Sequence, residues 1–137
     1  MTGAPDDLPR PTGTSSVNDT SAADDLPLEE LRDIAEVPAV EIITSACIHL
    51  MSAAAVKCGL GIGTDSEIAA EQDLDEARNL ITALAALVTT SAPDLGTFHA
   101  APLRDGLTAL QRAFREASDI PDAPGQGPGE QFTGPVI

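Results

Sequence analysis

Four side chains in this sequence have the chemistry of metal ligands or nucleophiles, namely Cys47, Cys58, His49 and His99. A structural zinc ion needs four such ligands, which usually come in closely spaced pairs that converge on one point. Cys47 and His49 stand two positions apart in a segment of helical character, so they are rotated by about 200° from each other. The spacing therefore predicts no metal site and no cofactor. An unpaired cysteine such as Cys47 is often a small core residue.

The two cysteines are also too far apart to bond to each other within one chain. They lie eleven positions apart on the same predicted helix, which is about 16 Å at the helical rise per residue. A disulfide needs Cα atoms within about 7 Å. Two unpaired thiols are typical of a reducing compartment, and the N-terminus has neither the basic start nor the apolar run of a secretion signal. We therefore expect a cytoplasmic protein.

Either histidine could act as an acid, a base or a pH switch. An activated nucleophile needs a base within hydrogen-bond reach, and no Asp, Glu or Ser is spaced to complete such a relay. The simpler interpretation of His49 is a side chain bonded to a backbone carbonyl or placed at the edge of an interface. Gly59, Gly61 and Gly63 lack the preceding strand and the following lysine of phosphate-binding loops. The sequence thus predicts no catalytic residue, and a small-ligand-binding or enzymatic helical domain that uses His49 or His99 is the alternative.

The charge of the chain argues against nucleic acid and membrane surfaces as partners. The formal net charge is −15, and only one of the seven basic residues is a lysine. Recognition of phosphate requires clustered Lys and Arg. The basic strip of the last predicted helix contains Arg104 and Arg115, with Thr108 and Gln111 on the same flank. A solvated flank is the simpler interpretation, and docking of an acidic partner makes Arg104 and Arg115 candidate interaction residues.

The sequence predicts an all-α fold between disordered arms. Residues 1–25 are rich in Pro, Gly, Ser, Thr and Asp without an apolar period, which indicates a disordered acidic arm. The helical domain spans 26–118, and its connections suit an antiparallel helical hairpin or a three-helix arrangement. Apolar spacing, Pro93 as a stop and Gly59 as a left-handed stop place helices at about 27–36, 38–58, 73–92 and 102–118. Residues 60–72 form a loop in which 66–71 can take a turn of helix, and residues 94–101 connect the last two helices, with a further helical turn from Thr97 as the alternative.

The segment 38–58 is apolar nearly all round, which is typical of a helix buried on most sides. We therefore expect it to be the core helix. Its narrow polar stripe of Glu41, Ser45 and Ser52 is either a solvent-facing edge or a polar seam that sets the register of an oligomer. Its uncharged stretch of 15 residues is too short and too polar for a bilayer. The many alanines contribute little burial energy per residue, which favours association with a second copy or another protein.

The segment 119–137 is dominated by Pro and Gly, so the sequence predicts a disordered tail. Its end nevertheless carries Phe132, Val136 and Ile137, which a purely solubilising tail does not need. These three residues are a candidate docking motif for a groove on this chain's own helices or on a partner. A frayed terminus is the alternative.

Three stretches resemble the bacterial family named domain of unknown function 1844, and the C-terminal residues PGQGPGEQFTGPVI are similar to those of its actinobacterial branch. The stretches are ITSACIHLMSAAAVKCGL, DLDEARNLITALAALV and APLRDGLTALQRAFREAS. The resemblance implies no activity and no site residues. It implies a gene neighbourhood beside translation initiation factor 3, and hence a link to translation. We expect a non-catalytic cytosolic interaction module that self-associates or binds a protein partner.

Overall fold

A computed structural model describes residues 34–136 and contains no strand among them, which confirms the all-α class. The chain divides into two units, 1–37 and 38–137. Residues 34–36 are helical; the first part of the predicted helix 27–36 and the predicted arm 1–25 lie outside the described residues. The second unit contains the helices α1 (Ala39–Lys57), α2 (Asp65–Glu71), α3 (Leu74–Leu95), α4 (Thr97–Ala117) and α5 (Glu130–Thr133).

Helix α1 has the ends that its sequence predicts. Pro38 occupies the N-cap with an extended backbone, at φ −61° and ψ 149°. At the other end, the Gly59 N–H donates to the Val56 carbonyl at 3.0 Å, and the Leu60 N–H donates to the Ala55 carbonyl at 2.9 Å. This pair of bonds is the Schellman arrangement, which needs a left-handed residue just past the helix. Gly59 supplies it with a φ of +92°.

Side-chain caps set the starts of α2 and α3. Thr64 and Glu67 form a capping box, in which each backbone N–H donates to the other's side-chain oxygen, at 2.9 and 3.2 Å. Asp73 caps α3, because its Oδ1 accepts from the Glu76 N–H at 3.2 Å. The loop and helical turn predicted between α1 and α3 therefore contain the seven-residue helix α2.

The helix at the centre of the fold is α3, which packs against α1, α4 and α5. Within its span α1 buries only Cys47 and Ala54. The prediction that 38–58 is the core helix, buried on most sides, is therefore wrong for the single chain, because only one side of α1 faces other helices. α3 buries Ala77, Ile81, Leu84, Ala85, Val88, Ser91, Ala92 and Leu95, and α4 adds Ala100, Leu103, Leu107, Leu110, Gln111 and Phe114.

Two prolines lie inside helices, contrary to the boundaries that the sequence predicts. Pro93 stands in the last turns of α3 and Pro102 in the second turn of α4. Each proline removes a single backbone donor, while burial of Ala92 and Leu95 holds the last turn of α3 on the core. The predicted connection 94–101 is consequently helical except for Gly96, and α4 begins at Thr97, where the alternative places its first turn. The φ of +82° at Gly96 allows the sharp change of direction.

Residues 119–136 differ from the predicted disordered tail. They turn at Gly125 and Gly129, which have φ values of +83° and +76°, and end with α5 packed on α3. Pro128, Gly129 and Glu130 are buried. Composition alone argued for disorder because apolar side chains are few, but polar contacts hold this segment in place.

Candidate functional site

One side of α1 faces the core. Cys47 and Ala54 are fully buried, and Cys58, which follows the helix, is 4% exposed. These residues fall within an arc of about 40° at helical geometry. Beside them, Met51 approaches α4 so closely that a Cβ at Gly106 would collide with its methyl group. The absence of a side chain at Gly106 is what allows this approach between the two helices.

The opposite side of α1 is divided in two by the polar stripe of Glu41, Ser45 and Ser52. Ile42 lies on one side of the stripe and is 45% exposed. Ile48 lies on the other side and is 52% exposed. A half-exposed isoleucine is ordinary when it stands singly. The surroundings of the two isoleucines therefore decide which one belongs to a continuous apolar surface.

Ile42 belongs to a continuous flank, whereas Ile48 does not. Six exposed or half-exposed residues, with steps alternating between three and four, fall within an arc of about 100°. We name this surface the Ile42 flank; its members are Ala39, Ile42, Ala46, His49, Ala53 and Val56. Alternating steps of three and four are the pattern with which one helix packs along another. Ile48 instead stands one turn from Ser45 and Ser52 of the polar stripe, and the other residues on its side are half-buried: Thr44, Met51 and Ala55, of which the last two pack against the core.

Helix α1 is also long and apolar enough, by length and composition alone, to cross a membrane, and it is the one such helix among residues 34–136. Most of that span is exposed or half-exposed in the single chain. The helix packs against α3 and α4 on its other side. Helix α1 therefore leaves an apolar surface open that its own chain does not cover.

The two histidines lie in different surroundings. His49 is exposed at the middle of the Ile42 flank, and His99 is half-buried near the start of α4, with its ring 5.2 Å from the Phe98 ring in an edge-on contact. Across residues 34–136, neither histidine has a hydrogen bond or an ion pair with a carboxylate. The described structure therefore does not assemble the pair that an acid–base centre at His49 or His99 would need.

Both cysteines are unpaired and buried. Burial raises the pKa of the Cys47 thiol and likewise the pKa of the Cys58 thiol. A raised pKa keeps the reactive thiolate scarce, so these are structural thiols rather than nucleophiles. Within the described range, no group of three or more His, Cys, Asp and Glu side chains could hold a metal ion.

The C-terminal segment, residues 118–136, is organised around the Glu130 carboxylate. Its Oε1 accepts from the N–H groups of Gly125 at 2.8 Å and Gly127 at 3.2 Å, and its Oε2 accepts from the Val136 N–H at 3.3 Å. Glu130 itself is only 7% exposed. A buried carboxylate that accepts several backbone N–H bonds closes the loop around itself and satisfies donors that the loop would otherwise leave unpaired.

Gln111 and Gly129 attach this segment to the helices. The Gln111 Nε2 donates to the Pro128 carbonyl and to the Thr133 Oγ1, both at 3.1 Å. Gly129 lies so close to α3 that a Cβ there would be 2.6 Å from the Ala85 Cβ. The segment is therefore held by a buried amide from α4 and by close backbone approach to α3.

Arg78 provides a second attachment, nearer the start of the segment. Its Nη2 donates to both carboxylate oxygens of Asp122, at 3.0 and 3.1 Å. The same guanidinium lies over the Phe114 ring, 4.9 Å from its centroid. One side chain of α3 thus joins the segment to a core aromatic residue of α4, through an ion pair and a cation–π contact.

Some of the candidate residues predicted in the basic strip and in the tail lie close together, and others do not. Arg104 and Phe132 line one groove of about 320 Å³, together with Leu107, Thr108 and neighbouring residues. Arg115 lines a different depression of about 490 Å³ with Ser118 and Pro121. Val136 lies on the edge of a third, and Ile137 is outside the described residues. The structure therefore brings Arg104 to Phe132 and leaves Arg115 and His49 elsewhere.

Sequence reasoning missed the roles of Gln111 and Glu130. The sequence pattern places Gln111 on the solvated flank with Arg104 and Arg115, whereas in the structure it is 3% exposed. A signal existed: Gln111 adjoins Leu110 and stands three positions before Phe114, both in the buried seam. For Glu130 the signal is weaker: it is a single acidic residue that follows a stretch rich in Gly and Pro.

These observations define a class: a small all-α domain with one apolar helix flank left open and a C-terminal segment held by buried polar groups. The chain belongs to the family described as domain of unknown function (DUF1844), whose model matches residues 39–116. This confirms the family resemblance, while the actinobacterial branch stays a prediction. The match covers α1 to nearly the end of α4 and leaves the C-terminal segment outside. No curated protein matches the chain, and no solved structure matches it either.

Proposed function

We propose that this chain is a non-catalytic protein–protein interaction module that self-associates through the Ile42 flank of α1. The observation that carries the proposal is the exposure of Ile42, 45% in the single chain, within a row of apolar and small side chains that only His49 interrupts. A contiguous exposed apolar surface is the usual mark of a site that binds another macromolecule. The cytoplasmic location, inferred from the unpaired cysteines and the N-terminus, stays a prediction. The link to translation, which the family resemblance implies, also stays a prediction.

The charge of the flank fits a second copy better than a basic partner. Between Glu41 and Lys57 helix α1 carries no acidic or basic side chain other than His49. Each copy nevertheless carries a net charge of −15, so two copies repel each other at long range. Salt screens this repulsion and leaves the apolar contact intact. Self-association should therefore strengthen as salt is added, whereas binding to a basic partner should weaken.

The experiment compares Ile42→Glu with Ile48→Glu in the full chain, by sedimentation equilibrium over a wide dilution series. The two variants add the same charge to the same helix, and the original side chains have similar exposure. We expect a mass above that of the monomer for the wild type and for Ile48→Glu. Burying the exposed half of Ile42 in both copies is worth roughly 1.5–3 kcal/mol, so Ile42→Glu should raise the dissociation constant at least about tenfold.

Three outcomes would contradict the proposal. One is a wild-type chain that stays monomeric at every concentration and salt level. Another is binding of the full chain to phospholipid vesicles without self-association, which would assign the exposed face of α1 to a membrane. Equal weakening by both glutamate variants would also place the contact elsewhere than on the Ile42 flank.

A further inference from the structure

We infer that the partner of the Ile42 flank is the same flank of a second copy, packed antiparallel across a two-fold axis at the middle of α1. This inference rests on the proposed function and adds the orientation and the register. It is carried by the order of side-chain sizes along the flank, which alternate strictly between small and large: Ala39, Ile42, Ala46, His49, Ala53, Val56.

The alternation is complementary to itself when the second helix runs in the opposite direction. At full overlap, an antiparallel partner places Ala39 opposite Val56, Ile42 opposite Ala53, and Ala46 opposite His49. Every large side chain then faces an alanine. Small residues opposite large ones allow two helices to approach closely while the contact stays filled.

A parallel partner does not have this property. In a parallel pair each residue faces its own counterpart, so Ile42 meets Ile42, His49 meets His49 and each alanine meets an alanine. The spacing set by the large pairs then leaves unfilled space at the alanine layers, and unfilled space is destabilising. Antiparallel packing also sets the N-terminal end of each helix dipole beside the C-terminal end of the other, which is favourable.

The register follows from the length of the flank. A shift by one heptad in either direction keeps small residues opposite large ones but leaves two of the six flank positions on each helix without a partner. Full overlap is therefore the antiparallel register that buries the most apolar surface. It also places the His49 side chains of the two copies on either side of the two-fold axis, each opposite an Ala46 that leaves room for a ring.

The test is disulfide formation between two chains of different isotopic mass, one Ile42→Cys and the other Ala53→Cys. The proposed register makes these positions neighbours, so mixing the variants under mild oxidation should give a mixed-mass dimer, because a disulfide requires Cα atoms within about 7 Å. Neither variant should form a disulfide dimer by itself, since the antiparallel register separates Ile42 from its own counterpart by about 16 Å along the helix. The wild type controls for the native thiols, which are buried.

A matched control replaces the second chain with Ala39→Cys. That position lies about 21 Å along the axis from Ile42 of the partner in the proposed register, so this mixture should not cross-link. Disulfide dimers of Ile42→Cys alone would establish a parallel pair and overturn the antiparallel arrangement, while the proposed self-association would stand. Dimers in no mixture, from a wild type that does self-associate, would likewise overturn the arrangement alone.

A second measurement avoids cysteine. Ala53→Ile places isoleucine opposite Ile42 of the antiparallel partner, and overpacking of this kind should weaken association about tenfold. Adding Ile42→Ala to the same chain restores a small residue opposite a large one, and association should return to within about threefold of wild type. Strengthened association of Ala53→Ile would contradict the antiparallel register, because only a parallel pair gains an isoleucine contact from that change.

Discussion

Helix α1 and the C-terminal segment are stabilised in contrasting ways. Helix α1 is apolar along most of its length, yet its fully buried side chains are the small residues Cys47 and Ala54. The C-terminal segment has few apolar side chains, yet it buries Glu130 and closes a set of hydrogen bonds around it. The segment is complete within one chain, whereas the helix leaves apolar surface that one chain does not cover.

The contrast shows that burial depends on the available partners and not on hydrophobicity alone. α1 has helices on one side only, so its remaining apolar surface stays open. The C-terminal segment finds Gln111 and Arg78, two polar side chains that reach it from the helices. Substitutions in the two regions should therefore separate effects on folding from effects on association.

The largest effect on stability is expected from Gly129→Ala. The residue has a φ of +76°, and a new Cβ would lie 2.6 Å from the Ala85 Cβ and 3.3 Å from the Ile81 carbonyl oxygen. The left-handed backbone and the collision together should cost about 2–4 kcal/mol of unfolding free energy, measured by urea denaturation. Gly125→Ala is the matched control, since its φ is +83° but nothing lies within 4 Å of the added atom. It should cost only about 1–2 kcal/mol, and equal losses would show that the approach to α3 does not matter.

A smaller loss is expected from Glu130→Gln. Glutamine has one acceptor oxygen, so its NH₂ group would replace an oxygen that now accepts a backbone N–H. The buried donors left unpaired should cost about 1–3 kcal/mol. Hydrogen exchange should accelerate at the Gly125, Gly127 and Val136 amides. The exposed Glu116→Gln removes the same charge and should change stability by less than about 0.5 kcal/mol.

The ion pair of Arg78 should matter less. The Arg78 side chain is 41% exposed and Asp122 28%, so solvent weakens their attraction. Asp122→Asn should cost about 0.5–1 kcal/mol, because the two-point contact is reduced to one acceptor. Asp119→Asn, at a neighbouring exposed position, is the control with the same charge change. A loss at Asp122 no larger than at Asp119 would mean that the ion pair with Arg78 does not help to hold the C-terminal segment.

The helices and their caps were largely predictable from the sequence because their causes are local. Gly59 ends α1 through its own backbone freedom, and Asp73 caps α3 through a bond three residues away. The two proline boundaries were not predictable in this way. Whether a helix continues through Pro93 or Pro102 depends on what its next turn buries, and that depends on the core.

The candidate site was harder to predict for the same reason. The apolar pattern of α1 is the same whether its neighbours come from one chain or two, so the sequence could not tell which of its sides lies open. The buried position of Pro128, Gly129 and Glu130 depends on a hydrogen bond from Gln111, which stands seventeen positions before Pro128. The amino-acid composition of the segment gives no indication of a hydrogen bond to a residue so far away in the sequence. The two errors have one cause, because partners distant in sequence decide burial.

The smallest effect on folding is expected from Ile42→Glu, and it is the one that most sharpens the contrast. At protein concentrations low enough for the monomer to predominate, the variant should unfold within about 0.5 kcal/mol of wild type, since an exposed helix position contributes little to one chain. At high concentration the wild type should gain thermal stability by mass action, because association stabilises the folded state. Ile42→Glu should gain much less. If the variant instead has a free energy of unfolding that is lowered by the same amount at every concentration, Ile42 stabilises the fold of the single chain. The exposed flank of α1 would then not need a second copy to explain it.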